Sequence, residues 1–303
     1  MRAATAVRHM IMPVKTLVTR GKYVLKDLLP VPNISPVTFA GSLFRDGIDW
    51  ALSRRDPMTP PVRWMFDGST DPSSFKRAGD EFLGHLIRYC DLKASDRVLD
   101  VGSGIGRQAI PLTRFLNESG SYEGFDIVPI GPAWCTKTIT ARYPNFRFQR
   151  ANVFNSLYNR KGEVTPSEYR FPFSDASFDL VIGVSLFTHM LPDGLENYLG
   201  EMSRILKDGG KCLATFLFVN PESLALQEQG LSSLHFKFDH GRWRTAAETA
   251  EGAVFYDEDY ILQLLVKNDL TLTRPIVYGS WCGRTADTYQ DIVVARKEKL
   301  PLR

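Results

Sequence analysis

The sequence predicts an α/β fold: a seven-stranded, mostly parallel sheet with helices on both faces and an antiparallel last strand. Three observations carry this prediction. From about residue 75 onwards, short apolar runs alternate with longer amphipathic segments, which is the pattern of strands joined by helical crossovers. A glycine-rich turn follows the first apolar run. The last two runs are separated only by residues 279–288, too few for a crossover helix, so they should pair antiparallel.

The predicted elements follow one another in a regular order. Strands are predicted at about 97–101, 121–126, 146–151, 178–184 and 210–219, and a closing hairpin at about 270–278 and 289–296. Helices are predicted at about 75–90, 106–117, 131–143, 193–206 and 256–268. Each assignment rests on the length and spacing of its apolar positions.

Two parts are predicted for the chain, an N-terminal extension over residues 1–74 and a core domain over residues 75–303. Two insertions interrupt the core, at about 154–170 between the third and fourth strands and at about 220–255 after the fifth. The second mixes aromatic with charged side chains, as small-molecule pockets do. The alternative is a surface excursion with a small satellite core of its own.

The N-terminal extension is basic. Residues 1–63 carry ten Lys and Arg against four Asp and Glu, a net charge of +6, which leaves −3 for the other 240 residues. Apolar residues recur at helical spacing within residues 14–29, and no acid precedes Asp27. Three interpretations stay open: a helix packed on the body, a peripheral contact with a membrane surface or an acidic partner, or a transit peptide. Prolines at 30, 32, 36, 57, 60 and 61 indicate an extended arm.

Several classes of protein are disfavoured by composition. No apolar run reaches the roughly 18 residues that a spanning helix needs. The four cysteines are scattered, without the spacing of metal ligands or of a disulfide framework. We therefore expect no metal and a cytoplasmic location, peripheral at the membrane if the extension binds there. No base-reading motif occurs, so no nucleic-acid partner is expected.

The turn after the first strand predicts a nucleoside cofactor. Residues 97–106 read Arg-Val-Leu-Asp-Val-Gly-Ser-Gly-Ile-Gly. Glycines there let the backbone approach a ligand closely, and the segment beyond offers unpaired N–H groups. Twenty residues after Gly106, the second strand ends in Asp126, where a carboxylate can accept hydrogen bonds from ribose hydroxyls.

The detail of this turn carries a resemblance to a known family. The spacing is G-x-G-x-G rather than G-x-G-x-x-G, and Asp100 precedes it. A carboxylate there disfavours a pyrophosphate and favours a sulfonium with an ammonium group. The stretch resembles motif I of the class I S-adenosylmethionine-dependent methyltransferases, notably bacterial enzymes that act on small molecules or sugars. Segments 146–153, 171–190 and 198–211 follow in that family's order, so the resemblance covers about residues 76–297 and implies a Rossmann-like sheet.

The resemblance implies S-adenosylmethionine as cofactor and a role for each matching residue. Asp100 would accept from the amino group of the methionine moiety, and Asp126 would hold the ribose. Asn152 stands where the family usually has an acid beside the adenine, and its amide can still bond the adenine edge. The cofactor-binding residues implied in this way are Asp100, Gly102, Ser103, Gly104, Gly106, Asp126, Ile127, Asn152, Val153 and Ser185.

Two histidines are the candidate catalytic residues. His189 follows the fourth strand, at the sheet edge where such folds keep their ligands, and an imidazole suits proton transfer near neutral pH. The alternative is a histidine that packs on the next helix, with Thr188 as the N-cap. His240 is the second candidate, with a substrate-covering loop as its alternative role.

The predicted function is methyl transfer to oxygen of a small metabolite, a sugar or a lipid-linked glycan, with His189 as the general base. The resemblance also admits carbon or nitrogen acceptors. A contrasting class is a non-catalytic scaffold that binds a nucleoside or docks on a membrane. The set of Asp100, three glycines and Asp126 argues against that class, since a silent fold has no need of all five.

Overall fold

A seven-stranded sheet forms the centre of the protein in the computed structural model, which describes residues 36–52, 56–66, 68, 71–246 and 250–298. Its strands are β1 (Arg97–Val101), β2 (Ser121–Asp126), β3 (Phe146–Arg150), β4 (Phe178–Gly183), β5 (Leu206–Phe216), β10 (Leu270–Leu272) and β11 (Asp291–Lys297). Their order across the sheet is β10-β11-β5-β4-β1-β2-β3. The strands from β1 to β5 pair in parallel, whereas β11 is antiparallel to both neighbours. The predicted fold class is therefore confirmed.

Helices cover both faces of this sheet. They are α1 (Pro36–Ala51), α2 (Pro72–Cys90), α3 (Ala109–Leu112), α4 (Ile130–Cys135), α5 (Pro192–Ile205), α6 (Pro221–Glu228) and α7 (Glu258–Lys267). A π-helical turn, Thr136–Thr140, continues α4. Apolar side chains of the central strands fill both layers: Val98 faces one cluster and Leu99 the other, each without solvent exposure. Such alternation is what a strand buried on both faces requires.

A second sheet, of four short strands, was not predicted. It consists of β6 (Phe218–Val219), β7 (Phe238–Asp239), β8 (Trp243–Thr245) and β9 (Val254–Asp257), in the order β6-β9-β8-β7. Together with α6 it occupies the predicted insertion at 220–255. Phe255, Trp281 and Cys282 pack beneath it without solvent exposure. The insertion thus packs on a satellite core that it shares with β6 and with the loop before β11.

Two predicted elements are much shorter in the structure. The helix expected at 106–117 forms only at α3, because Gly106 has a φ of +82° and Pro111 provides no backbone N–H. The strand expected at 270–278 ends at Leu272. Pro275 cannot donate to the ladder, and beyond it Val277 makes an isolated bridge to Ile292.

The N-terminal extension contains a helix where an extended arm was predicted. Pro36 begins α1 rather than interrupting it, since the first helical turn tolerates proline. Asp46 of this helix accepts hydrogen bonds from the backbone N–H of Val62 (2.8 Å) and from the Arg63 side chain (2.8 Å). The predicted amphipathic helix at 14–29 lies outside the described residues. Within the described ranges, no helix is long and apolar enough to cross a membrane.

Candidate active site

A cavity of about 990 Å³ lies at the carboxyl ends of the parallel strands. Loops after β1, β2, β3 and β4 meet there, as parallel sheets arrange them at a ligand site. Eight of the predicted site residues line it: Gly102, Ser103, Gly104, Asp126, Ile127, Val153, Ser185 and His189. Residues separated by up to 87 positions in the sequence thereby share one cavity.

Four predicted site residues do not line this cavity. Asp100 lies beneath the glycine turn, 1% exposed, and accepts a hydrogen bond from the Tyr122 hydroxyl at 2.6 Å. Burial raises the pKa of Asp100 to about 7. A Cβ on Gly106 would lie 2.9 Å from the Cys135 sulfur, so this glycine lets α4 pack against the turn. The other two are Asn152, whose Oδ1 is buried without a described partner, and His240, whose ring stacks on Trp243.

The glycine turn has the backbone conformation that its sequence requires. Gly102 and Gly104 have φ values of +81° and +54°, a region that side chains disfavour. The N–H groups of Gly102 and Ser103 both donate to the Phe125 carbonyl of β2, at 2.9 and 3.0 Å. This pairing holds the turn against the end of the neighbouring strand and aims it into the cavity.

Asp126 ties the turn to the second strand. Its carboxylate accepts from the N–H of Gly104 (2.8 Å) and from the N–H of Val128 (2.7 Å). The side chain is 8% exposed, and burial raises its pKa to about 6, although the two backbone hydrogen bonds act in the opposite direction. The same residue lines the cavity, so its carboxylate can also meet a ligand.

The position of His189 fixes its tautomer. Its Nδ1 lies 2.9 Å from the backbone carbonyl oxygen of Glu251. A carbonyl oxygen only accepts, so Nδ1 carries the hydrogen and Nε2 keeps its lone pair. The Tyr158 ring packs edge-on against the imidazole, with ring centroids 5.4 Å apart. Burial lowers the pKa of His189, which keeps the ring neutral at pH 7. Thr188 is not the N-cap of α5: that position belongs to Leu191.

Glu251, which joins the two insertions, was not predicted as a site residue. Its carboxylate accepts from the Ser156 backbone N–H at 3.0 Å and from the Ser156 hydroxyl. Glu251 is 8% exposed. Ser156 belongs to the first insertion and Glu251 to the second, so their contact holds in place the carbonyl that orients His189. An acid 62 residues from the histidine carries no local signal that could have revealed this.

A family profile described as "Methyltransferase domain" matches residues 98–210. That match contains β1 from its second residue onwards, the glycine turn, Asp126 and His189. This part of the chain belongs to the class I S-adenosylmethionine-dependent methyltransferases. The resemblance seen in the sequence is thereby confirmed.

Several known proteins are similar to this chain in sequence or in fold. The uncharacterized methyltransferase YcgJ of Bacillus subtilis is 26% identical over 220 residues, which cover 71% of this chain and 77% of YcgJ. The tRNA N(3)-cytidine methyltransferase METTL2 of Gallus gallus is 24% identical over 47% of this chain, which spans only 34% of METTL2. The PH0226 protein from Pyrococcus horikoshii OT3 shares the fold, with a TM-score of 0.52 at 16% identity over 82% of this chain and 99% of that one.

The methyltransferase site fits the family's cofactor. The Ser103 hydroxyl is buried in the glycine turn without a described hydrogen-bond partner, which suits a polar ligand close to the backbone. The glycines at 102 and 104 leave the space that such an approach needs. These two observations, with Asp126 at the cavity wall, indicate that residues 102–104, Asp126 and Ile127 would hold S-adenosylmethionine. In the described part of the chain, no group of three acidic, His or Cys side chains is placed to hold a metal ion.

A polar network in the lining of the methyltransferase cavity was also not predicted. Thr215 accepts from the Ser185 backbone N–H at 2.7 Å and donates to Oε1 of Gln290 at 2.6 Å. Ser185, at a φ of +54°, donates its hydroxyl to the same oxygen at 3.2 Å. This network turns the Gln290 amide nitrogen away from Thr215. Since all three residues line the cavity, that nitrogen is a candidate donor to a ligand.

Affinity for S-adenosylhomocysteine should fall as the pH drops through about 6. The ionised Asp126 would accept hydrogen bonds from ribose hydroxyls, and burial raises its pKa to about 6, so protonation below that pH would remove acceptor capacity. Calorimetric titrations between about pH 5 and 8 would measure this. Asp126→Asn should bind more weakly and lose the part of the pH dependence that is centred near 6. An unchanged pH dependence in that variant would exclude Asp126 as its source.

Proposed function

We propose that this protein transfers a methyl group from S-adenosylmethionine to a hydroxyl oxygen of a small metabolite, a sugar or a lipid-linked glycan. One observation carries the proposal. The unprotonated Nε2 of His189 belongs to a residue that lines the same cavity as the glycine turn. Methyl transfer to an alcohol requires a base that removes the hydroxyl proton, and a non-catalytic scaffold would not require such a base.

The protein's own residues would contribute position and proton removal. When bound, S-adenosylmethionine supplies a methyl group on a positively charged sulfur. Holding a hydroxyl oxygen about 3 Å from that carbon can contribute about 7–11 kcal/mol. His189 Nε2 would take the hydroxyl proton, an effect of about 10²–10⁴ in rate. The Glu251 carbonyl keeps the ring in the orientation that leaves Nε2 available.

The lining of the cavity near His189 supports a small acceptor. Phe154, Tyr158, Met190, Leu191 and Tyr198 provide apolar and aromatic surface there, and such surface is typical of small-molecule sites. A nucleic-acid acceptor, as named for METTL2, would require neutralisation of its phosphates. Residues 64–303 carry a net charge of −3, so we propose that nucleic acid is not the acceptor.

Carbon and nitrogen acceptors are the nearest alternatives to oxygen. An amine that reacts as its free base needs no base at the moment of transfer, so His189 would be dispensable for it.

The four buried free thiols support a cytoplasmic location, where cysteines stay reduced.

A screen of acceptors tests the proposal directly. The protein would be incubated with S-adenosylmethionine and matched sets of alcohols, sugars, amines and alkenes, with S-adenosylhomocysteine and methylated products measured by mass spectrometry. O-methylated products alone are expected. Products methylated on nitrogen or carbon would refute the oxygen assignment. S-adenosylhomocysteine binding without turnover on any set would favour the scaffold.

A further inference from the structure

The outward face of α1 is apolar along its whole length. Val37, Phe44 and Ile48 are 83%, 73% and 42% exposed, and Leu52 follows the helix at 52% exposed. Residues at these intervals share one side of a helix. The small residues between them on that side, Ala40, Gly41 and Ala51, are also exposed. A surface helix of a globular protein normally turns its apolar face toward the core. The orientation of α1 is inverted in this sense, because its apolar face is exposed and Asp46 on the other side is buried.

Polar contacts hold α1 in this inverted orientation. Asp46, on the opposite side of the helix, is 5% exposed. It accepts from the backbone N–H groups of Val62 and Arg63 and forms an ion pair with the Arg63 guanidinium at 2.8 Å. Rolling the apolar face inward would break these contacts and leave a carboxylate unpaired. The apolar face is therefore fixed toward the outside.

The sequence before α1 indicates what covers this face. Residues 1–35 contain six Lys and Arg and a single acid, Asp27. A cationic segment that directly precedes an exposed apolar helix in the sequence is complementary to a surface that is negatively charged and apolar just beneath. A second copy of this chain carries the same excess of positive charge in residues 1–35 and so offers no complementary charge. Charge therefore favours an anionic lipid surface over a second copy.

We propose that α1 lies flat on an anionic lipid surface, with Val37, Phe44, Ile48 and Leu52 inserted at the interface. This surface is separate from the methyl-transfer cavity, and the proposal does not depend on which acceptor is used. The electrostatic attraction between the basic residues and the anionic lipids weakens with salt. The contribution of the apolar side chains to binding does not weaken in this way.

Co-flotation of the full-length chain with lipid vesicles tests the proposal. Binding is expected to vesicles of phosphatidylcholine mixed with phosphatidylglycerol, to weaken at high salt, and to be much weaker with phosphatidylcholine alone. Replacement of Phe44 and Ile48 together by serine should lower the apparent affinity of the protein for anionic vesicles by about tenfold or more. Val266→Ser is the matched control: Val266 is 74% exposed on α7, and its loss should leave vesicle binding unchanged.

Binding of S-adenosylhomocysteine in each variant reports whether the fold is intact, because none of the described side chains of α1 lines the cavity. Equal flotation of the double variant and the wild type would overturn the proposal. So would absence of flotation on anionic vesicles. If the wild type instead dimerises in solution and the double variant does not, the occupant is a second copy. If the wild type neither floats nor dimerises, the face is covered within the chain.

Discussion

Replacement of His189 by alanine is expected to lower turnover by about a hundredfold or more while affinity for S-adenosylhomocysteine stays within about twofold. The imidazole is placed to take a proton, and the glycine turn and Asp126 hold the cofactor without it. His240→Ala is the matched control, because His240 stacks on Trp243 away from the cavity and its loss should leave turnover intact. Turnover unchanged in His189→Ala would remove the residue from the mechanism.

The same assignment can be measured without any acceptor. Nitrogen-15 spectra of labelled protein should show the His189 Nδ1 protonated and the Nε2 unprotonated at pH 7. Burial lowers the pKa of this group, so the neutral base persists to a lower pH than for an exposed histidine. The rate should therefore rise with pH through a midpoint below about 6.5 and level off above it. A protonated Nε2 in the neutral imidazole would contradict the tautomer inferred from the contact between Nδ1 and the Glu251 carbonyl.

Replacement of Gly131 by alanine should damage the cofactor site from outside it. A Cβ at this position in α4 would lie 2.2 Å from the backbone oxygen of Gly104. No side-chain rotation relieves a clash with backbone, so either α4 or the glycine turn must move. We expect affinity for S-adenosylhomocysteine to fall by about tenfold or more, and the free energy of unfolding to fall by about 1–3 kcal/mol.

Gly84→Ala provides the matched control for this prediction. Gly84 also lies in a helix, α2, and a Cβ there would meet nothing within 4 Å. Alanine should raise the free energy of unfolding by about 0.5–1 kcal/mol and leave binding unchanged. Calorimetry and chemical denaturation measure both quantities. If Gly131→Ala binds as the wild type does, the position of the turn does not depend on its packing against α4.

The sequence predicted the cofactor half of the molecule well, because its signals are local. The first four strands lie within about one residue of their predicted limits, and the glycine turn has the positive φ values that its sequence suggests. Asp126 lines the cavity, and its role in holding the ribose stays a prediction. In contrast, Asp100 makes its contact with Tyr122 beneath the turn, since depth in the fold is not encoded in spacing.

The other half could not be predicted from local patterns. The second sheet is built from strands of two to four residues, too short for any periodicity to be recognised. The partners of His189 and Ser185 lie 62 and 105 positions away along the chain. Such pairs are created by tertiary packing, and a single sequence contains no record of them.

Because Ser156 donates hydrogen bonds to Glu251, the two insertions depend on each other structurally. A designer who exchanged only the second insertion, to admit a different acceptor, would also discard the carbonyl that orients His189. Recombination that kept only the first would leave Ser156 without its acid. New acceptor preferences in this scaffold are therefore best sought by transplanting both segments together, or by changing side chains while both backbones stay in place.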